Sequence, residues 1–307
     1  MKILHVGRDQ AGPLLPFLGQ ALPAFKKTTL KQYLRFRRIT INGRIVTRHD
    51  HPLAPGDEIR LQTDTKSWPG IELPSGIRIL YEDDALIAIH KPAGMLSVPA
   101  PRHPAPDALA EVNRFLVSRG GRRQHAQRVH RLDKPASGVL LFAKTSEARR
   151  ILIDGWDRVE KVYLAIVEGV PRPAQDTITS HLTQDRDMKV RSGEETAQSR
   201  LAQTRYRVLT ATDGPALSGP RRPGFGARGY ALLECRLLTG FKNQIRVQLA
   251  ERGHPIAGDL KYGARANPIA RLALHAWRLI LPPPLTHTTL TIESEYPRPF
   301  RRLFAEP

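Results

Sequence analysis

Within Val129-His130-Arg131-Leu132-Asp133-Lys134-Pro135-Ala136-Ser137-Gly138 one carboxylate stands among three basic side chains, and the apolar run Val139-Leu140-Leu141-Phe142-Ala143 follows at once. Pro135 and Gly138 mark a turn, and the run is short and apolar enough for a buried strand. Arg131 and Lys134 would favour the ionised form of Asp133, while the adjoining core strand would fix its place and keep bulk water partly away. Those are conditions under which a carboxylate serves as nucleophile or general base. The same residue types also make a surface ion pair or an Asx-turn, and on this decapeptide alone that is the commoner arrangement.

His130-Arg131-Leu132-Asp133, followed by Ser137-Gly138 and an apolar strand, resembles the central motif of the RluA-type RNA pseudouridine synthases. Two further stretches match that family in order: Lys161-Val162-Tyr163-Leu164-Ala165 and Asn243-Gln244-Ile245-Arg246-Val247. The resemblance implies an isomerisation in which the bond from ribose C1′ to uracil N1 breaks, the base turns and C1′ rejoins at C5. It implies that Asp133 is the catalytic residue, acting as nucleophile or as the base that takes a ribose proton. It makes Tyr163 the ring that stacks on the target base, Arg246 the partner of the carboxylate, and Arg131 the side chain that enters the gap left by a flipped-out uridine. Read without the family, Tyr163 is a strand tyrosine at the core edge and Arg246 a helix-surface arginine. Gln248 stands where many members have His, and Ala136 where many have Thr; both bear on subgroup and substrate. The family uses no metal or organic cofactor, and the eleven His show no metal-ligand spacing.

Composition agrees with a polyanionic partner. Forty-eight Lys and Arg against 29 Asp and Glu leave a formal charge of +19. RNA is the expected partner, because neutralised phosphates release counterions. A membrane surface would call for a basic amphipathic helix, and no apolar run approaches the ~20 residues of a spanning helix. The single Cys235 has no partner for a disulfide or a cysteine-rich zinc site and reads as a small core residue. A cytoplasmic monomer is the expectation.

The elements that must position the motif follow from periodicity. Ile77 to Tyr81 and Ala85 to His90 read as a hairpin, ended by Lys91-Pro92-Ala93-Gly94. Asp107 caps a helix with Leu109, Val112, Phe115 and Leu116 on one face, stopped at Gly120-Gly121. A strand over 138–145 leads to a helix capped by Ser146, then to a strand over 161–170 that carries Tyr163. Residues 171–200 are polar with a weak strand at 177–182, and strands over 205–211 and 230–239 flank a Gly, Pro and Arg-rich loop. That loop holds Gly224 to Gly229, a formal GxGxxG that precedes a strand instead of opening a helix and so is no dinucleotide site. A helix over 243–252 buries Ile245 and Leu249, with Lys242 and Arg246 on a neighbouring face. Gly258 to Gly263 is a loop, 272–281 and 288–293 are strands, and Tyr296 to Phe304 is a basic aromatic tail. Strands outnumber helices and most join as hairpins, so the fold class is α+β with a mainly antiparallel mixed sheet.

Residues 1–65 form a separate small α+β unit in this reading, 66–76 a linker and 77–307 the catalytic domain. Thr28 or Thr29 caps a helix through Arg38, and Asn42-Gly43 closes a type I′ hairpin before the Pro55-Gly56-Asp57 turn. The unit is similar to the S4 RNA-binding domain, which makes Lys31, Arg35, Arg38 and Arg44 RNA contacts. The basic stretch from Arg119 to Arg131 and the arginines of the long loop, Arg221, Arg222 and Arg228, are further candidates for phosphate. The alternative from another class is an RNA-binding protein that keeps the fold without turnover; the carboxylate of Asp133 in a basic groove argues against it. A kinase-like reading of His-Arg-x-Asp lacks the Gly-rich loop and the Asp-Phe-Gly that would follow.

Overall fold

The computed structural model describes residues 2–23, 25, 27–35, 38–61, 71–100, 106–118, 125–185, 189–212, 229–283, 285–286 and 289–305. The N-terminal strands are β1 (Lys2–His5), β2 (Gly12–Pro13), β3 (Ile39–Ile41), β4 (Arg44–Ile45), β5 (Pro52–Leu53) and β6 (Glu58–Leu61). Helices α1 (Leu14–Ala21) and α2 (Lys27–Arg35) lie between β2 and β3. An antiparallel sheet in the order β1-β6-β3-β4 packs its apolar face, with Ile39, Ile59 and Leu61 fully buried, on Leu14, Leu18, Leu30 and Leu34 of the two helices. The hairpin expected at Asn42-Gly43 is present, both residues at positive φ of 49° and 78° as a type I′ turn requires. Helix α2 is described through Arg35, and Arg38, the expected last residue, is not helical.

The remaining strands are β7 (Arg78–Glu82), β8 (Leu86–Lys91), β9 (Gln127–Arg128), β10 (Ser137–Ala143), β11 (Glu160–Glu168), β12 (Gln175–Gln184), β13 (Val190–Gly193), β14 (Arg200–Ala211), β15 (Tyr230–Leu237), β16 (Leu274–Leu281) and β17 (Leu290–Glu293). Helices α3 (Ala108–Ser118), α4 (Ser146–Asp154) and α5 (Gln244–Glu251) complete the set. They form one large mixed sheet in the order β13-β12-β14-β15-β11-β16-β10-β8-β7, with β9 and β17 paired to its side, so the molecule is α+β. Only the β10–β16 pair among the described strands is parallel. All seven residues of β10 are buried, as its unbroken apolar run requires of a strand covered on both faces. Gly138 sits where β10 meets β16 at φ 118°, and a Cβ there would lie 2.1 Å from the Ala276 carbonyl oxygen, so no side chain fits.

Several boundaries moved for identifiable reasons. Helix α4 is capped by Thr145, whose hydroxyl accepts the Ala148 N–H at 3.1 Å, and Ser146 is its first helical residue. Asp107 does cap α3, accepting the Ala110 N–H at 3.0 Å. Strand β13 has no counterpart in the sequence reading, because its polar residues lie on a sheet edge and show no alternation. Ile71 and Leu73, placed in the linker, pack on the core beneath the large sheet, and Glu72 forms an isolated antiparallel backbone bridge with Arg78. Residues 296–304 are not an exposed tail: Tyr296, Phe300 and Phe304 are buried in the largest core cluster. The linker over 62–70, the helix stop at Gly120-Gly121 and the arginines of the 213–228 loop lie outside the described residues.

Candidate active site

Asp133 lies on the loop between β9 and β10, and the grip on that loop comes from distant segments. The Ser97 hydroxyl accepts the Leu132 N–H at 2.9 Å and donates to the Leu132 carbonyl at 2.8 Å, clamping the peptide unit next to Asp133. Behind the turn, the Lys91 ammonium donates to the carbonyls of Pro92, Met95, Lys134 and Ala136 at 2.9, 2.9, 3.2 and 2.6 Å. The Gly94 N–H adds a bond to the Lys134 carbonyl at 2.8 Å. Burial pulls the Lys91 pKa down to about 7, against the attraction of Asp133 and with a further push from Arg271.

Arg246 meets the carboxylate from the other side. Its Nη1 donates to Asp133 Oδ2 and to Asn243 Oδ1, each at 3.1 Å, while Nε and Nη2 form a fork onto Asp259 Oδ2 and Oδ1 at 2.7 and 2.8 Å. The Tyr262 ring centroid lies 5.1 Å from the guanidinium carbon, and the Tyr262 hydroxyl accepts from Asn243 Nδ2 at 2.9 Å. Burial opposes the charge on Arg246, but Asp259 and then Asp133 outweigh it and raise the pKa. The helix carrying Arg246 starts at Asn243 in the left-handed conformation, φ 55°, and is buried from Gln244 through Leu249. Arg246 therefore occupies the interior and not a solvent-facing side of α5, because the helix is wedged against the β12–β14 arm with no free face.

Tyr163, on β11 at an irregularity in its pairing with β16, is half-buried between two core clusters and faces the same cleft. Burial and then the Asp133 charge raise its pKa, so the phenol stays protonated. Arg131 is exposed at the rim of the cleft. The cleft has a volume of about 370 Å³, and its walls include His130, Trp156, Lys161, Phe241 and Lys242. His130 stacks on Trp156 with centroids 4.6 Å apart, and its Nε2 accepts the Leu141 N–H at 2.9 Å, which fixes the proton on Nδ1. Burial, with Lys161 adding to it, lowers the His130 pKa to about 3, so the ring is neutral near pH 7. A larger hollow of about 650 Å³ lies over β12, β14 and β15, but Glu234 there is engaged by Arg207 and Arg236 at 3.4 and 3.0 Å. Chemistry is better served by the smaller cleft, where an accessible carboxylate faces a tyrosine.

The four residues singled out from the motifs, Asp133, Arg131, Tyr163 and Arg246, thus line one cleft. Sequence reasoning missed Ser97, Lys91 and Asp259; Asp259 lay in a segment read only as a loop, and its spacing of 13 from Arg246 gives no pairing signal. Gln248 is fully buried and ties α5 to β12 and β14 through the Ile178 and Ala202 carbonyls and the Ser180 hydroxyl. Among the described residues no cluster of three or more His, Cys, Asp or Glu has metal-holding geometry. In the N-terminal unit Lys31 and Arg44 are exposed, and the Arg35 side chain lies outside the described residues. Arg38 is a correction to the basic face: it is 2% exposed, with its guanidinium carbon 5.5 Å from the Tyr33 ring centroid.

A family model described as RNA pseudouridylate synthase matches residues 85–251. The tRNA pseudouridine synthase C of Haemophilus ducreyi is 34% identical over 74% of this chain and 93% of its own. The ribosomal large subunit pseudouridine synthase D of Neisseria meningitidis serogroup A is 28% identical over 93% of this chain and 76% of its own. The solved structure of human RNA Pseudouridylate Synthase Domain Containing 4 has the same fold, with a TM-score of 0.57 and 24% identity over 73% of this chain and 92% of that one. No helix among the described residues is long and apolar enough to cross a membrane.

Proposed function

The chain belongs to the RNA pseudouridylate synthase family and is an enzyme that isomerises uridine in RNA; from that premise we propose that it acts on structured ribosomal RNA through Asp133 and a flipped-out base. The observation that carries the mechanism is the carboxylate itself. Asp133 Oδ2 is held by Arg246, whereas Oδ1 has no hydrogen bond to a described residue and is left for the substrate. The guanidinium aims the carboxylate, so Oδ1 attacks the sugar or base, or takes a ribose proton. Tyr163 receives the loosened uracil on its ring while C1′ leaves N1 and rejoins at C5, the C5 proton passing to solvent and N1 taking one from it. Arg131, exposed at the rim, occupies the space the uridine vacates in the RNA stack.

The preference for ribosomal RNA rests on the N-terminal unit, which we read as an S4-like RNA-binding domain with Lys31 and Arg44 toward phosphate. It is about a fifth of the chain, so a match over 93% of the chain, that of the ribosomal synthase, necessarily reaches into it. A match over 74%, that of the transfer-RNA synthase, can leave it out. A transfer-RNA target is the second reading, favoured by the higher identity to that relative.

The test is a pseudouridine map of total RNA from cells with and without the gene, complemented by wild type or by Asp133→Asn. One or a few uridines should lose the modification and regain it with wild type only. Restoration by Asp133→Asn would remove Asp133 from the chemistry, and sites confined to transfer RNA would decide for the second reading.

A further inference from the structure

Lys161 precedes Tyr163 by two residues on β11, so both side chains leave the same face of the strand and both line the cleft that holds Asp133. The Lys161 residue is only 6% exposed. Its ammonium donates to the Trp156 carbonyl at 3.1 Å and stands 5.8 Å from the centroid of that residue's ring. An ammonium has three donors, and that carbonyl uses one. Lys161 forms no ion pair with a described carboxylate; Asp157, whose field it feels, is exposed and beyond ion-pair distance. Of the cleft's charged groups, the Asp133 carboxylate is engaged by Arg246, His130 is neutral, and Arg131 and Lys242 are cationic. A buried charge without a counter-ion is costly, and the cost is offset where a ligand brings the opposite charge.

The spacing fits an anion that arrives with the target base. Two residues along a strand are about 6.6 Å apart, a span over which a nucleobase and the phosphodiester beside it can be held together. We propose that Lys161 is a phosphate-binding residue of the active site, taking a phosphodiester oxygen adjoining the target uridine while the base lies on Tyr163. The stacked pair His130 and Trp156 then forms the wall along which the backbone enters. The assignment rests on the synthase reading of the cleft.

The experiment measures tritium release from [5-³H]uridine-labelled total RNA, prepared from cells lacking the gene, at salt from 50 to 200 mM. Wild type, Lys161→Met, Lys161→Gln and Lys161→Arg are compared, each with a thermal melt. Loss of one charge-assisted contact should raise KM about tenfold in the Met and Gln variants, with a smaller change in kcat. The slope of log KM against log salt should become shallower by about 0.7, the value for one phosphate on a single strand, and Lys161→Arg should keep the wild-type slope. Wild-type KM and salt slope in both neutral variants would overturn the assignment, whether or not their melting points fall. So would a loss confined to kcat, which would make Lys161 a positioning residue for Tyr163. No release by wild type would refute the synthase reading itself, and the phosphate site with it.

Discussion

Asp259 and Ser97 do for Asp133 what none of its neighbours in sequence does: they fix the partner and the peptide that aim it. Asp259 takes Nε and Nη2 of Arg246 at 2.7 and 2.8 Å and leaves Nη1 for Asp133 and Asn243. Asp259→Asn keeps the shape and removes the charge, leaving a buried guanidinium short of one counter-ion. Breaking such a pair costs about 3 kcal/mol. We expect that loss in a urea titration, together with a fall in kcat of more than tenfold and RNA affinity within twofold of wild type. Unchanged kcat would show that Asp133 and Asn243 hold Arg246 without Asp259. At this scale the motif residues were legible, because His-Arg-x-Asp, Lys-x-Tyr and the arginine of Ile-Arg-Val are local patterns. The residues that orient them were not: Ser97 lies 35 positions from Leu132 and Arg246 lies 113 from Asp133, and only the fold brings each pair together.

Among the elements, the strand β8 ends in a buried cation that holds the Asp133 turn by its carbonyls. Burial places the Lys91 pKa at about 7, whereas in the unfolded chain a lysine keeps its proton to about pH 10.4. Between those values the unfolded chain binds more protons than the native one, so this residue makes stability rise with pH across the window. Lys91→Met removes the titration. The difference in unfolding free energy between wild type and variant should therefore shift in favour of wild type as pH rises from 7 to 10.5, by urea titration at fixed ionic strength. A difference independent of pH would contradict it. Elements with strong periods, β8, β10, β11 and the Asn-Gly hairpin, could be placed from sequence. Helix α5 was found but its environment misjudged, since Gln244, Arg246 and Gln248 are polar by type and yet buried by bonds to Thr204, Asp259 and Ser180. The β13 edge and the Thr145 cap carried too little pattern to place.

For the whole molecule, the charge of +19 bears on RNA affinity more than on the chemistry. A chain beginning at residue 71 keeps Ile71 and Leu73, which the catalytic core needs. It should melt cooperatively, bind RNA more weakly and lose about two from its log–log salt slope if Lys31, Arg44 and their neighbours meet phosphates. An unchanged slope would remove the N-terminal unit from the RNA interface. The α+β class was readable from strand count and hairpin signals. The packing of 296–304 into the core was not, because a few aromatics among arginines look alike whether they lie on a surface or under one.

The strand order has a bearing on how the protein is made. β16 lies between β10 and β11, so strands encoded 17 residues apart are joined only through one that ends at Leu281. During synthesis the N-terminal unit and the β7–β8–β10 hairpin system leave the ribosome early, but the two halves of the large sheet stay unjoined until nearly the whole chain has emerged. Asp133, just before β10, and Arg246, on the helix against the β12–β14 side, lie on the two sides of β16, so their contact waits for that strand. A nascent chain that stops short of β16 thus carries Asp133 without the sheet that holds it against Arg246.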